Sequence, residues 1–93
     1  MGLPGFLGKK KAVTYKLVDK EGRAKYIGIT NNPLRRKSEH LKSGKRGRLV
    51  VTSKPLPRSI AERNETRNLN SYRKATGRRP RYNKTNNGKP DLY

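Results

Sequence analysis

Residues 24–38 read Ala24-Lys25-Tyr26-Ile27-Gly28-Ile29-Thr30-Asn31-Asn32-Pro33-Leu34-Arg35-Arg36-Lys37-Ser38. The first seven are rich in β-branched and aromatic residues, which suit a pleated, half-buried strand. The pattern stops at Asn31. Asn32 can cap a helix through its side-chain oxygen, and Pro33 suits the first helical position, where its missing N–H would have no partner anyway. The stretch therefore carries a strand directly into a helix, expected over about 33–43 and ended by Gly44.

Upstream, Ala12-Val13-Thr14-Tyr15-Lys16-Leu17-Val18 has the same strand character, and Asp19-Lys20-Glu21-Gly22 separates the two runs as a hairpin turn would. With a four-residue loop over 19–22, Val18 is predicted to face Arg23 and Tyr15 to face Tyr26, placing two phenols side by side. Downstream, the basic segment Lys45 to Arg48 leads into Leu49-Val50-Val51-Thr52, a third short strand that Pro55 and Pro57 are expected to close. Ser59 and Glu62 have capping-box spacing, so a second helix is predicted from there to about Thr76, with Gly77 as its stop. From Arg78 onward the chain is basic, rich in Pro, Asn and Gly, and reads as loop. The expected class is α+β: a three-stranded antiparallel sheet flanked by helices.

The 93 residues include 25 Lys plus Arg against 6 Asp plus Glu, a net charge of +19, which on this length means one small domain with a thin core. Such a charge calls for a polyanion, and nucleic acid is the obvious one. Membrane binding is disfavoured: there is no Trp, one Phe and no long apolar run, and the start of the chain lacks the order of a signal peptide. With no cysteine and one histidine, His40, disulfides, thiol nucleophiles and multi-His metal sites are excluded.

In the second helix Ala61, Leu69, Tyr72 and Thr76 share a face, and Glu65 sits at its centre. The plainer reading is an ion pair with one of the many cations; the sharper one is that an acid pointed at the fold holds a divalent cation. Glu62 is explained by the capping box. On the first helix Arg36 and His40 lie one turn apart and point together. Taken alone that pair arises by chance, but phenol, guanidinium, imidazole and an inward carboxylate together are the parts needed to hydrolyse a phosphodiester.

Val13-Thr14-Tyr15, then Tyr26-Ile27-Gly28, then Arg36 and His40 within the run Tyr-Ile-Gly-Ile-Thr-Asn-Asn-Pro-Leu-Arg-Arg-Lys-Ser-Glu-His, then Glu65 and Asn83, resemble the GIY-YIG nuclease domain. The second half of the motif is intact, and the first keeps only its tyrosine. The resemblance spans residues 12–88, leaving 1–11 as an expected flexible basic lead-in and 89–93 as a tail. It implies a metal-dependent nuclease in which Glu65 ligates one Mg²⁺ or Mn²⁺ and Arg36 stabilises the transferred phosphate. Tyr15 would be the general base or water positioner, Tyr26 and His40 would assist, and Asn83 would brace the site. An unperturbed phenol has a pKa near 10, so Tyr15 is expected to rely on cationic neighbours or the metal. Gly28 is read either as a close approach of backbone or as a bulge.

The segment from Leu49 to Asn83 is further similar to the nuclease modules of bacterial polymorphic and contact-dependent toxins. That similarity implies an effector acting in the bacterial cytoplasm, that of a target cell after delivery as part of a larger secreted protein, neutralised by an acidic immunity protein; a monomer is expected rather than an oligomer. Its specificity is expected to come from its own loops. Lys42, Lys45, Arg46 and Arg48, with Arg78, Arg79, Arg81 and Lys84, are the candidate phosphate contacts, and Tyr82 the candidate stacking ring. A non-catalytic nucleic-acid-binding domain and a stand-alone GIY-YIG repair nuclease are the competing readings.

Overall fold

The strand Lys11–Val18 (β1) is the spine of the sheet: Ala24–Thr30 (β2) pairs with it on one side and Arg48–Val51 (β3) on the other, both antiparallel. The computed structural model describes residues 5–8 and 10–83. A two-residue fourth strand, Leu56–Pro57 (β4), pairs with Lys11 and Ala12, and two helices complete the fold: Pro33–Lys42 (α1) and Arg58–Thr76 (α2). The α+β class and the three expected strands are present. The fourth strand differs from expectation, because Pro55 before it and Pro57 within it read as breakers, and it is tolerated at a sheet margin where a missing N–H costs little.

The hairpin register differs from the expected one. Tyr15 pairs with Gly28, Leu17 with Tyr26 and Val18 with Ala24, and a bulge falls between Leu17 and Val18. The reason lies in the turn. Asp19 Oδ1 accepts the N–H groups of Glu21 and Arg23, and the Asp19 N–H donates to the Arg23 carbonyl, so Arg23 is part of the loop and cannot face Val18. The pairing of Tyr15 moves from Tyr26 to Gly28, two residues, so the alternation of faces is preserved and both tyrosines still project from the same side.

That side also carries Val13, Leu17, Leu49 and Val51, and Tyr15, Leu17 and Leu49 form a buried cluster against which Tyr26, Val51 and Tyr82 pack. Helix α1 begins as predicted: Asn32 Oδ1 accepts the Arg35 N–H at 3.1 Å, with Pro33 buried at the first position. Helix α2 does not begin with a capping box. It starts at Arg58 directly after Pro57, without a side-chain cap, because the Arg58 N–H already finds the Lys10 carbonyl at 3.0 Å across the sheet margin. Ser59 and Glu62 lie exposed in its first turns, and Glu62 instead sits 3.4 Å from Arg58. Gly77 ends the helix in the left-handed conformation, φ +76°.

On α2 Ala61 and Leu69 are buried, Glu65 and Tyr72 half-buried, and Thr76 exposed. The inward face thus gives out in the last turn, where the Thr76 hydroxyl serves the carbonyls of Tyr72 and Arg78 instead. Of the expected lead-in, Lys11 already belongs to β1 and the Leu7 N–H donates to the Asn31 carbonyl at 2.7 Å. Beyond α2 the chain returns to the outer edge of β2. There the Tyr82 N–H donates to Lys25 O, and the Asn83 amide both accepts from Ile27 N and donates to Ile27 O, at 2.8 and 2.9 Å. One side chain thus stands in for a strand neighbour and closes an edge that would otherwise be open.

Candidate active site

Four elements deliver five side chains to a single place: β1 and β2 a tyrosine each, α1 Arg36 and His40, and α2 Glu65. Tyr15 projects from the middle of β1, 1% exposed, and its hydroxyl oxygen lies 2.7 Å from His40 Nε2 on α1. Tyr26 from β2 stacks beside Tyr15, ring centroids 5.9 Å apart, and presents its ring to His40 at 4.6 Å in an edge-on arrangement. Gly28 makes this possible. A Cβ at that position would stand 2.8 Å from the Tyr26 ring and 2.9 Å from the Tyr15 hydroxyl, so both phenols lie over bare backbone. The close-approach reading of Gly28 holds, and the bulge of this hairpin lies elsewhere, at Leu17–Val18.

Arg36, one turn before His40, has its Nε buried without a hydrogen-bond partner, while its Nη1 makes a long 3.6 Å pair with Glu39. Its charge reaches Tyr15, Tyr26, His40 and Glu65 alike. Glu65 arrives from α2 between the buried Ala61 and Leu69. Burial and the neighbouring Glu62 push its carboxyl up to about 7, against the opposing pull of Arg58, Arg36 and the Ile29 main chain.

Burial also lowers the His40 imidazole to about 4, with Arg36 and Lys45 adding to the effect, so the ring is neutral at pH 7. The phenols move the other way. Burial raises Tyr15 above its ordinary value, Tyr26 and Glu65 add to this, and Arg36 opposes it without prevailing. Tyr26 is raised mainly by burial too. The expected lowering of Tyr15 by cations is therefore not realised: desolvation of a nearly inaccessible phenolate outweighs one guanidinium.

Residues 11–88 match the family model of the GIY-YIG catalytic domain. The chain belongs to the GIY-YIG family. Its members are endonucleases, so the chain is a nuclease-family enzyme and nucleic acid is its substrate class. No curated protein and no solved structure matches it.

GIY-YIG nucleases generally use a divalent metal ion, and the residues present fit one. Among the described residues no three acids or imidazoles cluster as a full protein cage would require. A half-buried carboxylate such as that of Glu65 is the kind of oxygen donor that suits a hard cation, which needs few protein ligands.

The candidate phosphate contacts distribute around this centre rather than in it. Lys42 is exposed at the end of α1. Lys45 is tied back by its N–H to His40 O and is near enough to act on the imidazole. Arg46 and Arg48 line one recess with Tyr82, and Arg78, Arg79 and Arg81 line another with Tyr72. Tyr82 is half-buried against the Tyr15–Leu17–Leu49 cluster as well, so its ring is part of the core and part of that wall. Lys84 lies outside the described residues. Sequence reasoning did not single out Lys20 and Lys25, which line the same recesses; nothing in the hairpin's own pattern distinguishes them from other surface lysines. No helix among the described residues is long and apolar enough to cross a membrane.

Proposed function

We propose that this GIY-YIG chain is a metal-dependent phosphodiesterase in which Glu65 holds a single Mg²⁺ or Mn²⁺. The observation that supports this reading is the convergence of Tyr15, Tyr26, His40, Arg36 and Glu65 from β1, β2, α1 and α2 around one bare stretch of strand at Gly28. A plain binding domain has no use for a desolvated carboxylate on an apolar helix face. When bound, the cation would polarise the scissile phosphate and offset charge on its oxygens.

The protein groups divide the remaining work. The partly exposed Arg36 guanidinium donates to a phosphate oxygen and stabilises the negative charge that grows there. Tyr15, protonated in the resting site, accepts a hydrogen bond from the attacking water while its own proton faces His40 Nε2. As the water attacks phosphorus, its proton passes to the Tyr15 oxygen and the Tyr15 proton to the imidazole, while the P–O bond to the leaving oxygen breaks and that oxygen takes a proton from solvent, so no free phenolate need form. A bound phosphate offsets the fields of Arg36 and Lys45 that hold His40 down, which raises its proton affinity when the substrate is in place. Tyr26 fixes the Tyr15 ring, and Asn83 holds the β2 edge beneath both.

The segment similarity noted above and the charge of +19 further support a role as the effector module of a bacterial toxin–immunity system, acting in the cytoplasm of a target cell and bound by an acidic immunity protein. The test of the chemistry is incubation of the protein with plasmid DNA and with total tRNA, each with Mg²⁺ or EDTA, beside Glu65→Ala. Metal-dependent cleavage of one substrate, absent in the variant, is the expected result. Binding without cleavage in both proteins would instead leave a non-catalytic nucleic-acid-binding domain. For the toxin role, induced expression in a bacterium should arrest growth in the wild type and not in Glu65→Ala; equal growth would count against it.

A further inference from the structure

Two recesses open at the hairpin end of the sheet, of about 510 and 360 Å³, and Lys25 lines both. Three segments distant in sequence build them. β1 carries Val18 between Arg48 of β3 and Ala24 of β2, so the strand register itself sets Arg48 and the neighbouring Lys25 on either side of one residue. The loop before β3 is held down by Gly47, whose φ of +143° and absent side chain let it lie against the Val18 carbonyl; a Cβ would stand 2.9 Å from that oxygen. The third segment is pinned to the β2 edge by the Tyr82 N–H on Lys25 O and by the paired hydrogen bonds of Asn83, which sets Arg81 and Tyr82 beside Lys25.

Each recess has the same make-up. The larger combines Lys20, Lys25, Arg46 and Arg48 with the ring of Tyr82, and the smaller combines Lys25 and the arginines 78, 79 and 81 with the ring of Tyr72. Seven cations thus line the pair against one acid, Asp19, which lies 3.4 Å from Lys25 and is occupied by the hairpin turn. Folding alone gains nothing from such crowding of like charge. Paired basic recesses, each with one aromatic wall and joined by a shared cation, fit a ligand that repeats a phosphate and a flat base along a flexible chain.

We propose that these recesses form an anchor for one unpaired nucleic-acid strand, separate from the catalytic cluster, with Lys25 bridging successive phosphates. Lys25 directly precedes Tyr26 in β2, so the anchor lies next to the catalytic cluster along the strand, at its hairpin end. The anchor rests on the nuclease reading in that it assigns the approach of the same substrate, but it is tested by binding alone.

The experiment uses the full chain carrying Glu65→Gln, so that the probe survives, with a fluorescently labelled single-stranded oligonucleotide and the duplex of the same sequence titrated at several salt concentrations. Arg48→Gln with Arg81→Gln removes one cation from each recess. Arg63→Gln with Arg67→Gln removes the same charge from α2 and serves as the control. At about 0.7 in log–log slope per neutralised phosphate on a single strand, the recess pair should flatten the salt dependence by about 1.4 and weaken binding more than tenfold at low salt, the control pair leaving both near the parent values. A circular-dichroism melt of each variant excludes unfolding as the cause. Equal losses in both pairs, an unchanged slope in the recess pair, or tighter binding of the duplex than of the single strand would overturn the anchor. Loss of binding in the recess pair together with failure of the wild type to cleave any nucleic acid would keep the anchor and remove the nuclease reading. Cleavage by the wild type with binding indifferent to Arg48 and Arg81 would do the reverse.

Discussion

Gly28 shows how much one missing methyl group can decide. The phenols of Tyr15 and Tyr26 rest where its side chain would be, at distances no Cβ tolerates, and the Tyr15 ring has no freedom to retreat, since it is buried and bonded to His40. Gly28→Ala is expected to destabilise the fold by about 1–3 kcal/mol through overpacking and to abolish cleavage, read from a thermal melt and a plasmid or tRNA assay on the same sample. Tyr15→Phe keeps the ring and removes the hydroxyl. Cleavage should fall about 10²–10⁴-fold, as for loss of a group that moves a proton, and stability by about 1–3 kcal/mol because His40 Nε2 is left buried without a partner. Unchanged activity would remove Tyr15 from the proton path. At Glu65 the sign of the pH effect is fixed by the direction of its shift. Below about 4.5 the carboxyl is protonated folded or unfolded and costs nothing; as pH rises toward 7 the unfolded chain ionises freely while the folded site resists, so stability is lost across that window. Glu65→Gln cannot ionise. The melting temperature of the variant minus that of the wild type should therefore grow between about pH 4.5 and 7 and level off above, and a flat difference would contradict the desolvated carboxylate.

Among the elements, β2 depends most on a residue far from it. Its outer edge is satisfied at Ile27 by the Asn83 side chain, an amide that reproduces both halves of a strand pair. Asn83→Ala should cost about 1–3 kcal/mol for the groups left unpaired and speed amide hydrogen exchange at Ile27 selectively. Uniform acceleration across β1 and β2 would mean that Asn83 supports the whole sheet rather than this edge. The hairpin is equally specific in its cause. Asp19 gathers the N–H groups of Glu21 and Arg23, lengthens the loop and generates the bulge, so the sheet register follows from one carboxylate.

For the molecule as a whole the governing quantity is the net charge of +19 carried on 93 residues. Self-repulsion opposes the compact state and is screened by salt, with a Debye length of about 30 Å at 0.01 M and about 8 Å at physiological ionic strength. The melting temperature is therefore expected to rise when NaCl is raised from low to physiological concentration, while affinity for nucleic acid falls over the same range. A melting temperature that fell with salt would show that attractive ion pairs outweigh repulsion, contrary to the long ion pairs found among the described residues, at 3.4, 3.6 and 3.4 Å.

Much of this was legible residue by residue. The strand character of 12–18 and 24–30, the Asn32–Pro33 helix start, the Gly77 stop and the inward Glu65 each depend on neighbours within four or five positions, and local spacing is what a linear pattern records. The co-location of Arg36 and His40 is of the same kind. The hairpin register, the β4 strand, the start of α2 at Arg58 and the exposure of Thr76 were not legible, because each turns on a hydrogen bond or an end of contact supplied by a distant segment: Asp19 to Arg23 closing the turn, Lys10 to Arg58, the limit of the surface beneath α2. The charge states of the site belong to the fold as well. Composition pointed toward cations lowering Tyr15, but the balance between burial and Coulomb attraction depends on depth and dielectric, and once Tyr15 lies under α1 with its hydroxyl on His40, desolvation is the larger of the two.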